Sequence, residues 1–499
     1  MVHLGPKKPP SRKGSMIDVP RDLLEQIAQL EKLLTVDTAK LNEIVDHFVK
    51  ELEKGLSKEG GSIPMIPTWV MNMPEGTETG KYLALDMGGT NLRVVEVELL
   101  GHRDFDVKQS KYRLPDEMKT GTADQLWDYI ADCLKAFIDE NHEIPEDEEE
   151  KEKKKQETIH LGFTFSYPCS QSAIHNGFLQ RWTKGFDIEG VEGHDVQPML
   201  EAALKRKDVP IKVTALINDT TGTMVASNYT DPETQMGVIF GTGCNAAYFD
   251  TIGNIPKLEG LVDLPPETPM AINCEWGAFD NEHVVLPRTA YDVQIDNDSP
   301  RPNQQAFEKM IAGLYLGEIQ RLIMLDLHEQ GCIFEKQSVD KLKVPYSIDA
   351  SLLSQIEEDP FENLSEVESI FLERFMITTT GPERKLVRRL AELIGTRAAR
   401  LSACGVAAIC KKKNITRCHC GADGSVFNKY PNFQERGAQA LKEIFGWTET
   451  NPKNYPIRLL PAEDGSGVGA ALIAALTLKR MKEGLPVGMS RVPEGFGTN

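Results

Sequence analysis

At 499 residues the chain is long enough for two to four domain-sized units around a sizeable core. Its 75 acidic residues outnumber 56 basic ones, and the formal net charge of −19 argues against nucleic acid or an anionic membrane as the main partner. Nine cysteines with no repeated C-x-x-C spacing read as reduced thiols of a cytoplasmic protein, excluding a disulfide framework or a zinc-finger class.

Residues 1–15, MVHLGPKKPPSRKGS, are basic and Pro/Gly-rich, and read as a disordered tail with no apolar signal segment. Lys7, Lys8, Arg12 and Lys13 form a weak import-like patch, which leaves a minor nuclear pool open. Arg12-Lys13-Gly14-Ser15 resembles a site for a basophilic protein kinase, so Ser15 is an expected point of phosphorylation. Helical spacing predicts two amphipathic helices over 22–34 and 39–56, then a Gly- and Pro-rich crossing segment over 60–80.

Residues 81–100 predict two strands around Asp86-Met87-Gly88-Gly89-Thr90-Asn91. Paired glycines let backbone N–H groups approach a phosphate, Thr90 and Asn91 add donors, and Asp86 can hold Mg²⁺ through its water shell. Arg93 or Lys111 would offset phosphate charge. Taken alone, the stretch is equally a plain turn. Residues 236–250 repeat the design, with Gly241-Thr242-Gly243 at the bend. Two such hairpins point to two similar domains facing each other across a cleft, gripping a nucleoside triphosphate from both sides.

Between the hairpins, 124–140 predicts a helix and 146–157 a solvated charge run whose signs largely cancel. A strand through Phe165 then ends at Ser166-Tyr167-Pro168, and a loop returns to Trp182-Thr183-Lys184. Hydroxyls and a cation beside an aromatic suit a neutral polyol, although core packing explains a Trp and solvent a Lys equally well. Val213 to Ile217 reads as a short buried strand running into Asn218-Asp219-Thr220-Thr221-Gly222, a helix start. An Asp at the carboxyl end of a strand in an open α/β sheet is a candidate general base, and a capping Asp is the plainer alternative. Further on, 304–329 predicts one helix with Phe307, Ile311 and Leu314 on its core side, and 383–412 and 432–445 read as scaffold helices. Cys418-His419-Cys420 reads as part of a strand, because its spacing is wrong for zinc. The small-residue apolar run 466–478 is too short to cross a bilayer.

LALDMGGTN, LGFTFSYP…LQRWTKGF, LINDTTGT, FGTGCNAAY and INCEWGAFDNE together resemble the hexokinase family, its fungal members above all, and the likeness runs from the first residues to about Val487. Two departures are His175, where the family usually carries Asn or Asp, and the charge run 146–157, which reads as an insertion. The resemblance implies an α/β fold of two similar actin-like (ribonuclease H-like) domains, small and large, across a cleft. It divides the chain into a flexible basic tail (1–20), N-terminal helices on the large domain (21–76), a small domain (77–217), a large domain (218–464) and a C-terminal helix returning to the small domain (465–485). The implied reaction moves the γ-phosphoryl group of Mg-ATP to the 6-hydroxyl of glucose, mannose or fructose at the entry to glycolysis, in the cytoplasm.

By the same resemblance Asp219 is the catalytic base, with Lys184 beside it. Ser166, Thr183, Lys184, Asn218, Asp219, Asn245, Glu275 and Glu308 contact the sugar. Asp86, Gly88, Gly89, Thr90, Asn91, Arg93 and Lys111 hold the nucleotide together with Gly241, Thr242 and Gly243, while Asp423, Gly424 and Ser425 border adenosine. No metal is expected to be held directly by protein, Mg²⁺ reaching Asp86 through water. A homodimer is left open. Cys169, Cys244 and Cys274, close to the sugar residues in sequence, read as buried packing residues. A sugar sensor without catalysis would carry a damaged Asp219, Lys184 or phosphate turn, and an actin-like ATPase would have no use for the 161–186 loop.

Overall fold

The computed structural model describes residues 16, 18–88, 91–142, 158–182 and 186–497. Ser15 and the charge run 146–157 therefore lie outside the described residues. Five strands, β1 (Thr79–Met87), β2 (Asn91–Gly101), β3 (Asp104–Arg113), β4 (Ile159–Phe165) and β5 (Ile211–Ile217), form one sheet in the order β3-β2-β1-β4-β5. β1 runs antiparallel to β2 and parallel to β4, which is parallel to β5. The inner strands are apolar on both faces, as strands covered from both sides must be, and Leu83, Ala84 and Leu85 of β1 are all buried. β3, DFDVKQSKYR, is largely exposed and charged, which blunts the sheet edge.

A second sheet repeats this plan. β6 (Thr234–Phe240), β7 (Cys244–Thr251), β8 (Pro269–Asn273), β9 (Cys418–Asp423) and β10 (Ile457–Pro461) lie in the order β8-β7-β6-β9-β10, and Ile66–Pro67 adds to the β8 edge. An antiparallel hairpin again leads into two parallel strands. Cys418-His419-Cys420 opens β9, in a strand as its spacing suggested.

Helix α1 (Asp219–Thr230) packs on both sheets and meets α3 (Ala470–Lys482), which lies on the first, while α2 (Gly381–Lys413) packs among the helices around the second. One apolar core covers the second sheet, the N-terminal helices Arg21–Leu34 and Thr38–Ser57, α1, α2 and α3, and reaches Ala84, Val95 and Val97 on the inner face of the first sheet. A smaller core lies on that sheet's outer face, under helices Ala123–Asn141 and Val196–Arg206. The crossing of α1 with the segment leading into α3 is made backbone to backbone. A Cβ on Gly222 would fall 2.2 Å from the Gly465 carbonyl oxygen, and one on Gly469 2.2 Å from that of Gly222. α2 is long and apolar enough to cross a bilayer, but 89% of its most apolar window is buried inside the protein, as in a central core helix.

The helix expected over 304–329 is two, Ala306–Ile311 and Gly313–Glu329. Ala312 is extended (φ −81°, ψ 147°), and the Gly313 N–H leaves the helical pattern to bond the Gly241 carbonyl at 2.8 Å. The break resets the helical phase. Phe307 and Ile311 are buried as expected, whereas Leu314 is 47% exposed.

Candidate functional site

Strand β5 delivers its last buried residue, Ile217, and the chain turns at once into α1. Asn218 caps the helix: its Oδ1 accepts from the Thr221 N–H at 3.0 Å. The amide's other end, Nδ2, is buried with no partner among the described residues. Asp219 is the first helical residue, where the helix dipole favours a carboxylate, and its Oδ1 accepts from the Thr220 hydroxyl at 3.1 Å. Its negative charge acts on Asp86 and on Glu275, helping to raise both. The carboxylate therefore sits between the first hairpin and a loop of the second domain.

The second domain supplies a compact polar cluster. Glu275 has left-handed backbone angles (φ 56°, ψ 44°). Its Oε1 accepts from Asn273 Nδ2 at 2.8 Å and Asn245 Nδ2 at 3.1 Å, while its N–H donates to Asn245 Oδ1 at 2.9 Å. Burial pushes the Glu275 carboxyl up. Glu308 Oε2 accepts from the Cys244 N–H at 2.9 Å, and burial, with Glu275 nearby, pushes Glu308 up to about 7. A Cβ on Gly243 would fall 2.7 Å from Glu308 Oε2 and displace that carboxylate. On the first domain Ser166 directly follows β4. The next residue, Tyr167, donates its hydroxyl to the Gly88 carbonyl at 2.7 Å, binding the 166–182 loop to the first hairpin. Thr183 and Lys184 lie outside the described residues.

At the first hairpin Asp86 lies one residue before the end of β1, and burial raises its carboxyl to about 6. The Arg93 guanidinium lies 3.7 Å from Asp86 but bonds Asp464 at 2.8 and 2.5 Å, so its charge is already engaged. Lys111 faces Arg93 across β2 and β3 and is exposed. Gly88 and Asn91 bracket the bend, and Gly89 and Thr90 lie outside the described residues. The second bend is held by backbone: Gly241 N–H to Gly243 O at 2.9 Å, Gly313 N–H to Gly241 O at 2.8 Å and Leu314 N–H to Thr242 O at 3.3 Å. Asp423 ends β9, and its Oδ1 accepts from the Gly424 N–H at 2.6 Å and Asn428 Nδ2 at 2.8 Å. Gly424 (φ 109°) presses on the same bend: a Cβ there would fall 2.4 Å from the Phe240 carbonyl and 2.7 Å from Gly241 N. Ser425 opens the short helix Ser425–Lys429 beside it.

Among the described residues, no three or more His, Cys, Asp or Glu side chains are grouped to hold a metal ion. Asp86, with the charges of Asp219 and Asp464 bearing on it, fits a hydrated divalent cation that arrives with phosphate and is reached through water. Burial raises the thiols of Cys169, Cys244 and Cys274, which makes them poor nucleophiles.

Two family models, each described as Hexokinase, match residues 26–229 and 235–476. The hexokinase of Schwanniomyces occidentalis is 61% identical over 489 residues, covering 98% of this chain and 100% of that one. The chain belongs to the hexokinase family. Hexokinase-2 of Saccharomyces cerevisiae is 60% identical over 492 residues, 98% of this chain and 99% of that one. A solved hexokinase from Schistosoma mansoni complexed with glucose superposes with a TM-score of 0.79 at 35% identity, covering 91% of this chain and 99% of that one. As a hexokinase the protein phosphorylates hexoses, on a fold of two actin-like domains.

Several residues of this hexokinase escaped the sequence reading. Asp464 clamps Arg93 from 371 residues away, Asn273 supports Glu275 from the end of β8 just before it, and Tyr167 ties loop to hairpin. The only local signal for Asp464 was its position before Gly465-Ser466-Gly467, where it caps the turn by accepting from the Gly467 N–H at 2.9 Å.

Proposed function

We propose that this hexokinase transfers the γ-phosphoryl group of ATP to the 6-hydroxyl of glucose, mannose and fructose, giving hexose 6-phosphate and ADP at the entry to glycolysis. The observation that carries the reading is Asp219 at the carboxyl end of β5, acting on Asp86 on one side and Glu275 on the other, next to Asn218 Nδ2, which has no partner among the described residues. The glucose bound to the Schistosoma mansoni relative supports glucose among the substrates.

In this mechanism Asn218 Nδ2 donates to a sugar hydroxyl, while Asn245, Glu275 and Glu308 hold others. Asp219 accepts the proton of the 6-hydroxyl, worth about 10²–10⁴-fold for a positioned base. The hydroxyl is a weak acid and loses its proton late, so much of that factor is orientation. Ser166, Thr183 and Lys184 close on the sugar from the small domain, and Lys184 offsets charge near the transferring group. The bends at Gly88 and Gly241 offer backbone N–H groups to the phosphates, and 423–425 borders adenosine. Magnesium bound with ATP supplies charge neutralisation of the phosphate oxygens. Water would compete with the sugar in an assembled site. A cleft that assembles only on sugar avoids that loss.

The test is ADP formation with and without a panel of hexoses. Strong stimulation by glucose, mannose and fructose is expected, and ADP formation indifferent to every hexose would overturn the reading. We place the activity in the cytoplasm, with unpaired cysteines throughout, and fractionation of the native cell tests that placement. Phosphorylation of Ser15 and self-association are checked by intact mass and by sedimentation of the native protein.

A further inference from the structure

The C-terminal tail beyond α3 crosses from one domain to the other over the back of the sugar loop. Ile174 donates its N–H to the Val487 carbonyl at 2.9 Å, and Met489 donates to the Ser172 carbonyl at 2.7 Å, so that Gly488 lies antiparallel to Ala173. The next residues hold the large domain: the N–H groups of Ser490 and Arg491 donate to the Leu261 carbonyl at 2.9 and 3.1 Å. Ser490 Oγ in turn accepts from the Asp263 N–H at 2.9 Å. Val487 and Met489 are half-buried against the main core. The end of the tail returns to the loop, Phe496 meeting Phe178 edge-on at 6.0 Å.

The loop it grips is continuous with the catalytic strand. Leu216, in β5, donates its N–H to the Ile174 carbonyl at 2.7 Å and accepts from Gln171 Nε2 at 2.9 Å. Trp69, from the N-terminal crossing segment, donates its indole N–H to the Gln171 carbonyl at 2.9 Å. One hydrogen-bonded row thus runs from the tail through Ile174 to Leu216, just before Asn218 and Asp219. A backbone ladder of this kind fixes register more firmly than side-chain contacts do, because it admits no change of rotamer.

We propose that residues 487–491 are a positioning strap, which fixes the base of the sugar loop against the large domain and so sets the hexose affinity of the enzyme. The proposal rests on residues 166–184 being the sugar loop. Among the described residues the strap meets the loop at Ser172 to Ile174, so its action passes through them and is selective for the sugar over the nucleotide.

The test compares the full chain with a chain ending at residue 485 and with Gly488→Val, whose Cβ would fall 2.5 Å from Ala173 Cβ and 2.6 Å from the Ser172 carbonyl oxygen. Losing a few backbone hydrogen bonds is expected to raise the KM for glucose about 5- to 10-fold in both, with the KM for ATP within about twofold. Amide hydrogen exchange over 169–180 should quicken in step. Gly488→Ala should fall between Gly488→Val and the parent. If the shortened chain does not fold, Gly488→Val and Ser490→Ala carry the test. An unchanged KM for glucose overturns the strap whether or not exchange quickens, and so does a parallel rise in both KM values with a lowered melting temperature. A full-length protein whose ADP formation ignores hexoses would instead strike the sugar-loop reading beneath.

Discussion

The two hairpins share a topology and differ in what holds their bends. The second is fixed by backbone. Gly241 and Thr242 bond Gly313 and Leu314, and Gly424 fills the remaining space with no side chain of its own. At the first, where Gly89 and Thr90 lie outside the described residues, side chains and charge hold the described flanks: Tyr167 on the Gly88 carbonyl, and Arg93 between Asp86 and Asp464. One architecture thus serves as a fixed platform in the large domain and as a charge-tuned grip in the small one. Asp219 acts on Asp86 beside the first hairpin and on Glu275, which is bonded to Asn245 just past the second bend.

The largest expected effect comes from removing the proposed base. Asp219→Ala should lower kcat by about 10²–10⁴-fold, while glucose still changes tryptophan emission on titration. Near-parental turnover would take Asp219 out of the mechanism. The platform breaks next: Gly424→Val sets a Cβ into the Phe240 backbone at positive φ, and should lower stability by about 2–4 kcal/mol and raise the KM for ATP. Thermal melts and ATP titration read both.

The small-domain grip should respond to pH instead. Arg93 lowers the Asp86 carboxyl and burial raises it, so Arg93→Ala should move the acid limb of kcat/KM upward by about one pH unit. A limb that stays in place would uncouple Arg93 from Asp86. Last, Asp86→Asn trades function for stability. The folded carboxyl titrates at about 6 against an ordinary 3.8, so its ionised form is a liability above pH 6 that fades as pH falls towards 4. The variant should therefore be stabler by about 1–3 kcal/mol at pH 8, no stabler at pH 4, and poorly active at both. Equal melting shifts at the two pH values would refute this assignment.

The hairpins, the buried strand before Asn218 and most helices were legible in the chain, because each depends on a local pattern: period, glycine placement or a cap. The helix over 304–329 was misread for want of one non-local fact, the pull of the Gly241 carbonyl on the Gly313 N–H, and Leu314 went to the surface with it. The Arg93–Asp464 clamp is likewise invisible locally, since neither residue's neighbourhood names the other. The grip of the tail on Ser172 and Ile174 runs through main-chain atoms, and its one mark on the sequence, Gly488, reads as an ordinary loop glycine.

In the proposed mechanism Asn218 divides one carboxamide between two tasks: its oxygen starts the helix that carries Asp219, and its nitrogen, without a partner among the described residues, serves a guest. Because the oxygen is committed, the group cannot turn over, and the polarity offered at that spot is frozen before any sugar arrives. An Asp there would start the helix equally well yet present an acceptor where a donor is wanted, next to a second negative charge. A Ser would serve the helix and fall short of the visitor. The choice of asparagine is thus a joint solution, and neither demand alone would have required it.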